Sequence, residues 1–312
     1  MKKGVSVILT AWNTQEYIKE CLDSVSKQDF FKGSNYEILL GIDACDKTFK
    51  RVKEIMGDYK NLKVFYFKDN VGTYVVSNTL ASMAQYEYLY RFDTDDIMLP
   101  NAVSTLISYA EKHNDDLVLS KCQNMYSTTG KVDKKGILAH GQIFIKTDTF
   151  LDFGGFRPFK CGADSELFQR IKNFIAFDTM NKSCAYRRLH STNLTGIAST
   201  GMKSEYRKYI HAFLLYERDK LIKTKKDARI KCVTAPCYEI KDGEISETPA
   251  ENGFKPMEIA DQYEIFMKLP ESERKKYIPK KFSSDNTSGL ALSVTSNGYI
   301  RKRAQSSWAG YM

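Results

Sequence analysis

The sequence predicts an α/β fold built on a doubly wound sheet. Short β-branched and aromatic runs recur through the first hundred residues: VSVILTAW (Val5–Trp12), YEILLGID (Tyr36–Asp43), LKVFYF (Leu62–Phe67) and EYLYRFD (Glu87–Asp93). They carry few polar residues, as strands buried on both faces do. Between them lie stretches with helical apolar spacing, and this alternation of strand and helix is the pattern of a largely parallel sheet. Right-handed crossovers then bring the loops after each strand to one edge, where such sheets bind ligands.

Each element follows from its local pattern. TQEYIKECLDSVSKQ puts Tyr17, Ile18, Cys21, Leu22 and Val25 on one helical face, with Asn13 or Thr14 as the N-cap. KTFKRVKEIMGDY predicts a helix closed near Gly57, and Val71–Tyr86 another. After Pro100, AVSTLISYAEKH reads as a helix and DLVLSKC as a short strand. Residues 137–150 predict a strand and a helix start, GGF at Gly154–Phe156 a tight turn, Ala163–Phe174 a helix and SCAYRRLH (Ser183–His190) a late strand. Residues 204–226 read as a long, highly charged helix, 241–256 as a loop, and MEIADQYEIFMKLPESERKKYI as one or two helices. The tail from Pro279 has little periodicity, and there is no internal repeat.

Composition narrows the class. The chain has 312 residues, 42% hydrophobic and 27% charged, the make-up of an ordinary globular protein. No apolar run reaches the roughly 18 residues of a membrane span. The N-terminal MKKGVSVILTAWN reads as a first strand, because its apolar run is short and no small-residue cleavage site follows. Seven scattered cysteines form no CxxC pair, which argues against a zinc knuckle or redox motif and fits reduced thiols in a cytoplasm. The net charge of +9 divides into +4 over residues 1–203 and +5 over 204–312. It permits an anionic partner without demanding one.

The informative stretch is YLYRFDTDDIMLP, Tyr88 to Pro100, where a strand runs into Asp93, Asp95 and Asp96. Like charges this close repel, and a divalent cation removes that cost. Carboxylate oxygens suit Mg²⁺ or Mn²⁺, ions that often bridge to nucleotide phosphates. Taken alone, the same residues also make a solvated turn or a helix cap.

Four segments in order resemble the family 2 glycosyltransferases of the GT-A fold. VSVILTAWN resembles that family's opening strand vSVIIPTYN, and CLDSVSKQDF its helix end lxSvlxQ. YEILLGIDACDKT is similar to EIIVVDDGSxDxT, and DNVGTYVVSNTLASMAQYEYLYRFDTDD to NxGxxxARNxGixxAxGeyIxFLDaDD. The likeness covers roughly residues 4–200. It implies a GT-A type mixed sheet, with a Rossmann-like nucleotide-binding half and an acceptor half. Residues 1–203 would be the catalytic domain and 204–312 a mainly helical, basic extension that takes part in acceptor binding. By resemblance, Thr10, Ala11 and Trp12 line the base pocket, Asp43 holds the base or ribose, and Asn70 and Gly72 border the nucleotide. Asp93 touches the ribose or a metal-bound water, Asp95 ligates the metal and Asp96 supports it.

GGFRPFKCGADSELFQRI resembles the family segment GGF…EDWDLWLR, which puts the general base at Asp164, although Ala163 stands where Glu is usual. Without the resemblance, Asp164 is equally read as the N-cap of the helix that follows. YRRLHSTNLTG is similar to YRxHxxSLT, which makes His190 a metal ligand and puts Arg187 and Arg188 within reach of phosphate. His140 would lie near the acceptor. The implied activity is metal-dependent inverting transfer from a nucleotide-diphosphate sugar, UDP-linked, to a hydroxyl acceptor, most readily a saccharide.

Two alternatives accompany it. RKKYIPKKF and YIRKRAQSSW interleave basic and aromatic residues between Arg274 and Arg303, a pattern suited to nucleic acid, such as modified bases of viral DNA, or to an anionic membrane surface. Ala163 raises the other alternative, a non-catalytic nucleotide-sugar-binding module.

Overall fold

The computed structural model describes residues 1–33, 35–251 and 262–278. Its first half alternates as the sequence predicts: β1 (Lys2–Ala11), α1 (Ile18–Ser26), β2 (Tyr36–Asp43), α2 (Asp46–Ile55), β3 (Leu62–Phe67), α3 (Thr73–Met83) and β4 (Tyr86–Asp93). The chain continues through β5 (Ile97–Met98), α4 (Ala102–His113), β6 (Leu117–Tyr126), β7 (Ile137–Leu138), β8 (Phe144–Lys146), α5 (Thr147–Asp152), α6 (Ala163–Ile171) and β9 (Phe177–Leu189). Then come α7 (Glu205–Tyr216), β10 (Tyr238–Lys241), β11 (Glu244–Ile245), α8 (Gln262–Met267) and α9 (Glu271–Lys275).

One mixed sheet runs β11-β10-β3-β2-β1-β4-β8-β6-β9-β5, with β7 paired to β6. Strands β3, β2, β1 and β4 are parallel, whereas β8 lies antiparallel between β4 and β6. The first three strands are laid outward from β1, and β4 returns to its other side. The order therefore reverses between β1 and β4, where Thr10 stands opposite Asp93. A crevice at such a reversal is where open α/β sheets take ligands.

Strand alternation fills both faces. Val5, Val7 and Leu9 of β1 join Ile38, Leu40 and Ile42 of β2 under α1, α2 and α4. Ile8, Leu39, Phe65 and Phe67 point the other way, under α3, α5, α6 and α7. The three-layer result is what strands apolar on both faces require.

The structure departs from the sequence reading at several places. The helix expected over Ala163–Phe174 ends at Ile171. The long helix expected over 204–226 stops at Tyr216 and closes in a π-helical turn, Glu217–Leu221. Arg157 holds buried Glu217 there, so a tertiary ion pair, not local propensity, ends the run. The region beyond residue 203 also supplies strands: β10 pairs antiparallel with β3 and covers an edge that would otherwise be open. Of the basic and aromatic stretch, only Arg274–Ile278 falls within the described residues.

Candidate active site

The elements that end at the β1/β4 crevice deliver the site. Thr10 Oγ1 lies 2.6 Å from Thr73 Oγ1, and Thr94 Oγ1 donates to Thr10 O at 2.8 Å, so the first loop is tied to α3 and to the end of β4. Ala11 is 1% exposed and its side chain belongs to the core, not the crevice. Trp12 is the reverse: at 55% exposed, its indole is free to stack.

Asp43 is 4% exposed. Its two oxygens accept from the amides of Val71 at 2.7 Å and Gly72 at 2.9 Å. Burial pushes this carboxyl up against the pull of those two bonds. Asn70 Nδ2 donates to Asp43 O at 3.4 Å. Asp43 thus holds the 70–72 loop against β2. Gly72 has φ of 86°, a region that favours glycine, and there is open space where a side chain would stand.

Asp93 Oδ1 pairs with Arg91 Nη2 at 2.7 Å. Arg91 also donates to Gly141 O at 2.8 Å and Thr73 Oγ1 at 2.9 Å. Asp164 sits in the first turn of α6, and the cap is Gly162 with no side-chain bond, so the N-cap reading of Asp164 does not hold. Tyr74 OH donates to Asp164 Oδ1 at 3.1 Å and accepts from Gly162 N at 3.1 Å. Burial first, then the charge of Asp164, push the Tyr74 phenol far up, so it remains a donor. A Cβ on Gly141 would stand 3.5 Å from Arg91 Nη1, 3.6 Å from Asp93 Oδ2 and 3.7 Å from Asp164 Oδ2. Gly141 therefore marks the space into which both carboxylates face.

Beside this space, His190 Nε2 lies 2.9 Å from Asp95 Oδ2, and Asn193 Nδ2 donates to the same oxygen at 3.2 Å. His190 Nδ1 meets Thr192 Oγ1 at 2.8 Å, and the ring packs on Tyr17 at 4.9 Å. Contacts on both ring nitrogens and on the ring face fix the orientation of the imidazole. Carboxylate and imidazole together suit a divalent ion such as Mn²⁺ or Mg²⁺. Among the described residues no three His, Cys, Asp or Glu side chains group around one point. The donor set therefore fits an ion that completes its shell from a diphosphate and water.

Asp96 is buried, accepting from Arg188 N at 2.8 Å and Gln142 Nε2 at 2.7 Å. Burial and the charges of Asp95 and Asp93 push it well up. It joins β4 to β9 and is placed to support, not to ligate. Arg188 is engaged by Glu20, by Asp95 O and by the Tyr17 ring, and Arg187 by Thr195 Oγ1. His140 packs 5.6 Å from Phe168 with its Nδ1 unpartnered among the described residues. Burial pushes His140 down, against the charge of Asp164.

Sequence reasoning missed Tyr74, Arg91, Gly141 and Asn193. Tyr74, Arg91 and Asn193 lie inside segments already singled out, but nothing in their spacing marks them. Only the fold brings the LAHGQ glycine to two aspartates some 23 and 48 positions away.

Helix α6, which carries Asp164, is fixed by a buried ion network. Arg170 pairs with Glu166 and donates to the carbonyls of Phe153 and Ala228 at 2.8 Å and Gly155 at 2.7 Å. Glu166 also pairs with Arg157 at 3.1 Å. At Gly155, φ of 65° and a virtual Cβ only 2.4 Å from Asn78 Oδ1 leave room for glycine alone, which explains the GGF turn.

A mixed sheet, parallel over β3-β2-β1-β4, that opens at its reversal onto this cluster has the GT-A architecture. The sequence model of glycosyl transferase family 2 matches residues 6–168, and the chain belongs to that family. It is 28% identical over 217 residues to the poly(ribitol-phosphate) beta-N-acetylglucosaminyltransferase TarP of Staphylococcus aureus, covering 67% of this chain and 62% of that protein. The chain spans less than two thirds of the length of the curated relatives it matches. The fold resembles S. aureus TarS 1-349 in complex with UDP-GlcNAc, with a TM-score of 0.57, 20% identity, and 73% and 69% of the two chains covered. It also resembles the mannosyltransferase PcManGT from Pyrobaculum calidifontis in complex with GDP-Man and Mn²⁺, with a TM-score of 0.51, 15% identity, and 70% and 63% covered.

Proposed function

We propose that this chain is a metal-dependent inverting glycosyltransferase, moving a sugar from a UDP-linked donor to a hydroxyl of a saccharide or polyol acceptor. The observation that carries the reading is the convergence of Asp93 and Asp164 on the space above Gly141, next to the Asp95–His190 pair. The solved neighbours named above hold UDP-GlcNAc, or GDP-Man with Mn²⁺, and TarP is named for transfer to poly(ribitol-phosphate). These support a nucleotide-sugar donor and a polyol or saccharide acceptor.

Asp164 takes the proton from the acceptor hydroxyl as that oxygen attacks the anomeric carbon. The bond from that carbon to the diphosphate breaks, and its electron pair leaves on the nucleotide diphosphate. Tyr74 holds the carboxylate in place, and Arg91 fixes Asp93 for the ribose or a bound water. Trp12 stacks on the base, while Thr10, Ala11, Asp43, Asn70 and Gly72 shape its pocket, Ala11 through its backbone. Asp95 and His190 would hold Mn²⁺ or Mg²⁺, which when bound offsets charge building on the departing diphosphate. Ala163 leaves the base in place, which weighs against a non-catalytic module. Residues 1–203 carry the chemistry and 204–312 the acceptor side, and described parts of the later region, β10 and α7 among them, share the sheet and core of the first. The stretch on which the nucleic-acid alternative rests lies, beyond Ile278, outside the described residues. No helix among the described residues is long and apolar enough to cross a membrane.

The test is nucleotide release from UDP-, GDP- and dTDP-sugars with Mn²⁺ or Mg²⁺, then with EDTA. EDTA-sensitive release of UDP is expected. Asp164→Asn should lower transfer about 10²–10⁴-fold and spare donor binding. Transfer that survives this substitution would remove Asp164 as the base.

A further inference from the structure

We propose that Arg207 receives an anionic group of the acceptor, a phosphate or carboxylate carried close to the hydroxyl that reacts. The inference rests on the reading of Asp164 as the base and adds the charge class of the acceptor.

Five arginines are buried among the described residues: Arg91, Arg157, Arg170, Arg188 and Arg207. The first four each face a carboxylate, on Asp93, on Glu166 and Glu217, on Glu166, and on Glu20. Arg207, at 9% exposed, has no carboxylate within ion-pair distance among the described residues. Its Nε and Nη2 both donate to Thr200 O, at 3.1 and 3.0 Å, and its backbone N–H donates to Ser204 Oγ at 3.2 Å. A buried cation served only by a neutral carbonyl is costly unless a counter-charge arrives.

The anchored edge of the guanidinium faces Thr200. The other nitrogen, Nη1, has no partner among the described residues and lies 4.0 Å from where a Cβ on Gly162 would stand. Gly162 is the residue whose amide meets Tyr74 OH, the donor to Asp164. The charges of Arg207 and Asp164 act on the same three neighbours, Tyr74, Cys161 and His211, so both belong to one corner of the site. That corner is built by α6 and α7, whereas the Asp95–His190 pair stands just past the ends of β4 and β9. A guanidinium edge with free N–H groups suits a phosphate or carboxylate oxygen.

The experiment loads the protein with Mn²⁺ and UDP, so that the diphosphate position is filled, and titrates small probes by calorimetry. The UDP titration comes first. Its failure would undo the reading of the site itself, a result separate from the one sought. Glycerol 1-phosphate and glucuronate are the two anionic probes, and glycerol and glucose their neutral counterparts. At least one anion should bind saturably and the neutral probes should not, and which anion binds separates phosphate from carboxylate acceptors. Arg207→Gln should weaken that binding at least tenfold, Arg207→Lys less, both with unchanged UDP affinity. No saturable anion binding to the loaded wild type, or equal binding by Arg207→Gln, overturns the proposal. Should the variants not fold, phenylglyoxal modification of Arg207 in the wild type, followed by peptide mass spectrometry, replaces them. The bound anion should slow it, and an unchanged rate overturns the proposal equally.

Discussion

Tyr74 does two jobs through one hydroxyl, accepting from the Gly162 amide and donating to Asp164. Tyr74→Phe should lower kcat about tenfold and leave the donor KM unchanged, because one hydrogen bond to the base is worth about 1–1.5 kcal/mol. Steady-state kinetics with both substrates varied would show this. Gly141→Ala tests the space itself. The three atoms 3.5–3.7 Å from its virtual Cβ are at ordinary contact distance, so the protein should keep its melting temperature within about 2 °C while kcat/KM falls. A normal kcat/KM would mean that the reacting atoms lie elsewhere. At this scale the sequence shows charged residues well and their partners poorly. Asp93, Asp95, Asp164 and His190 stand out by chemistry and order. Tyr74 and Gly141 acquire their roles only when α3, α6 and the segment before β8 meet.

Among the elements, α6 depends on a buried ion network more than on its own nine residues. Arg170→Ala would leave Glu166 buried and short of a partner, and strand the carbonyls of Phe153, Gly155 and Ala228. A loss of about 3–5 kcal/mol is expected in denaturant melts, and Arg170→Lys should not restore it, since one ammonium cannot reach the same four partners. The strands of the first half were legible because each is six to ten residues of apolar sequence with a helix between. The strand and helix start read over residues 137–150 are β8 and α5, but the antiparallel place of β8 between β4 and β6 was not legible, nor was the four-residue β10, because neighbours far along the chain decide both. The end of α7 was hidden for the same reason, since the ion pair of Glu217 with Arg157 spans 60 positions.

For the whole molecule, acid should be more damaging than the acceptor chemistry requires. Burial, then the charge of Arg207, push His211 down to about 4, against the smaller opposing effect of Asp164. Its pKa in the unfolded chain is about 6.5. A depressed folded-state value means that the associated stability is present above the unfolded pKa and lost as pH falls from about 6.5 towards 4, by up to about 3 kcal/mol. Melting temperature followed over that range should fall in the wild type, with a shallower slope in His211→Gln. Equal slopes would assign the acid sensitivity to other groups.

The pairing of β10 with β3 has a consequence for how copies of the chain meet. The outer side of β3 carries unpaired amides and carbonyls unless a neighbour covers them, and a bare parallel edge is a template for any passing strand. Here the cover is Tyr238–Ile240, supplied by residues that come some 170 positions after β3 in the sequence. During synthesis the sheet must wait for it. A chain released before that stretch emerges would expose a ready site for self-association, so solubility, as much as acceptor choice, belongs to the late part of the sequence.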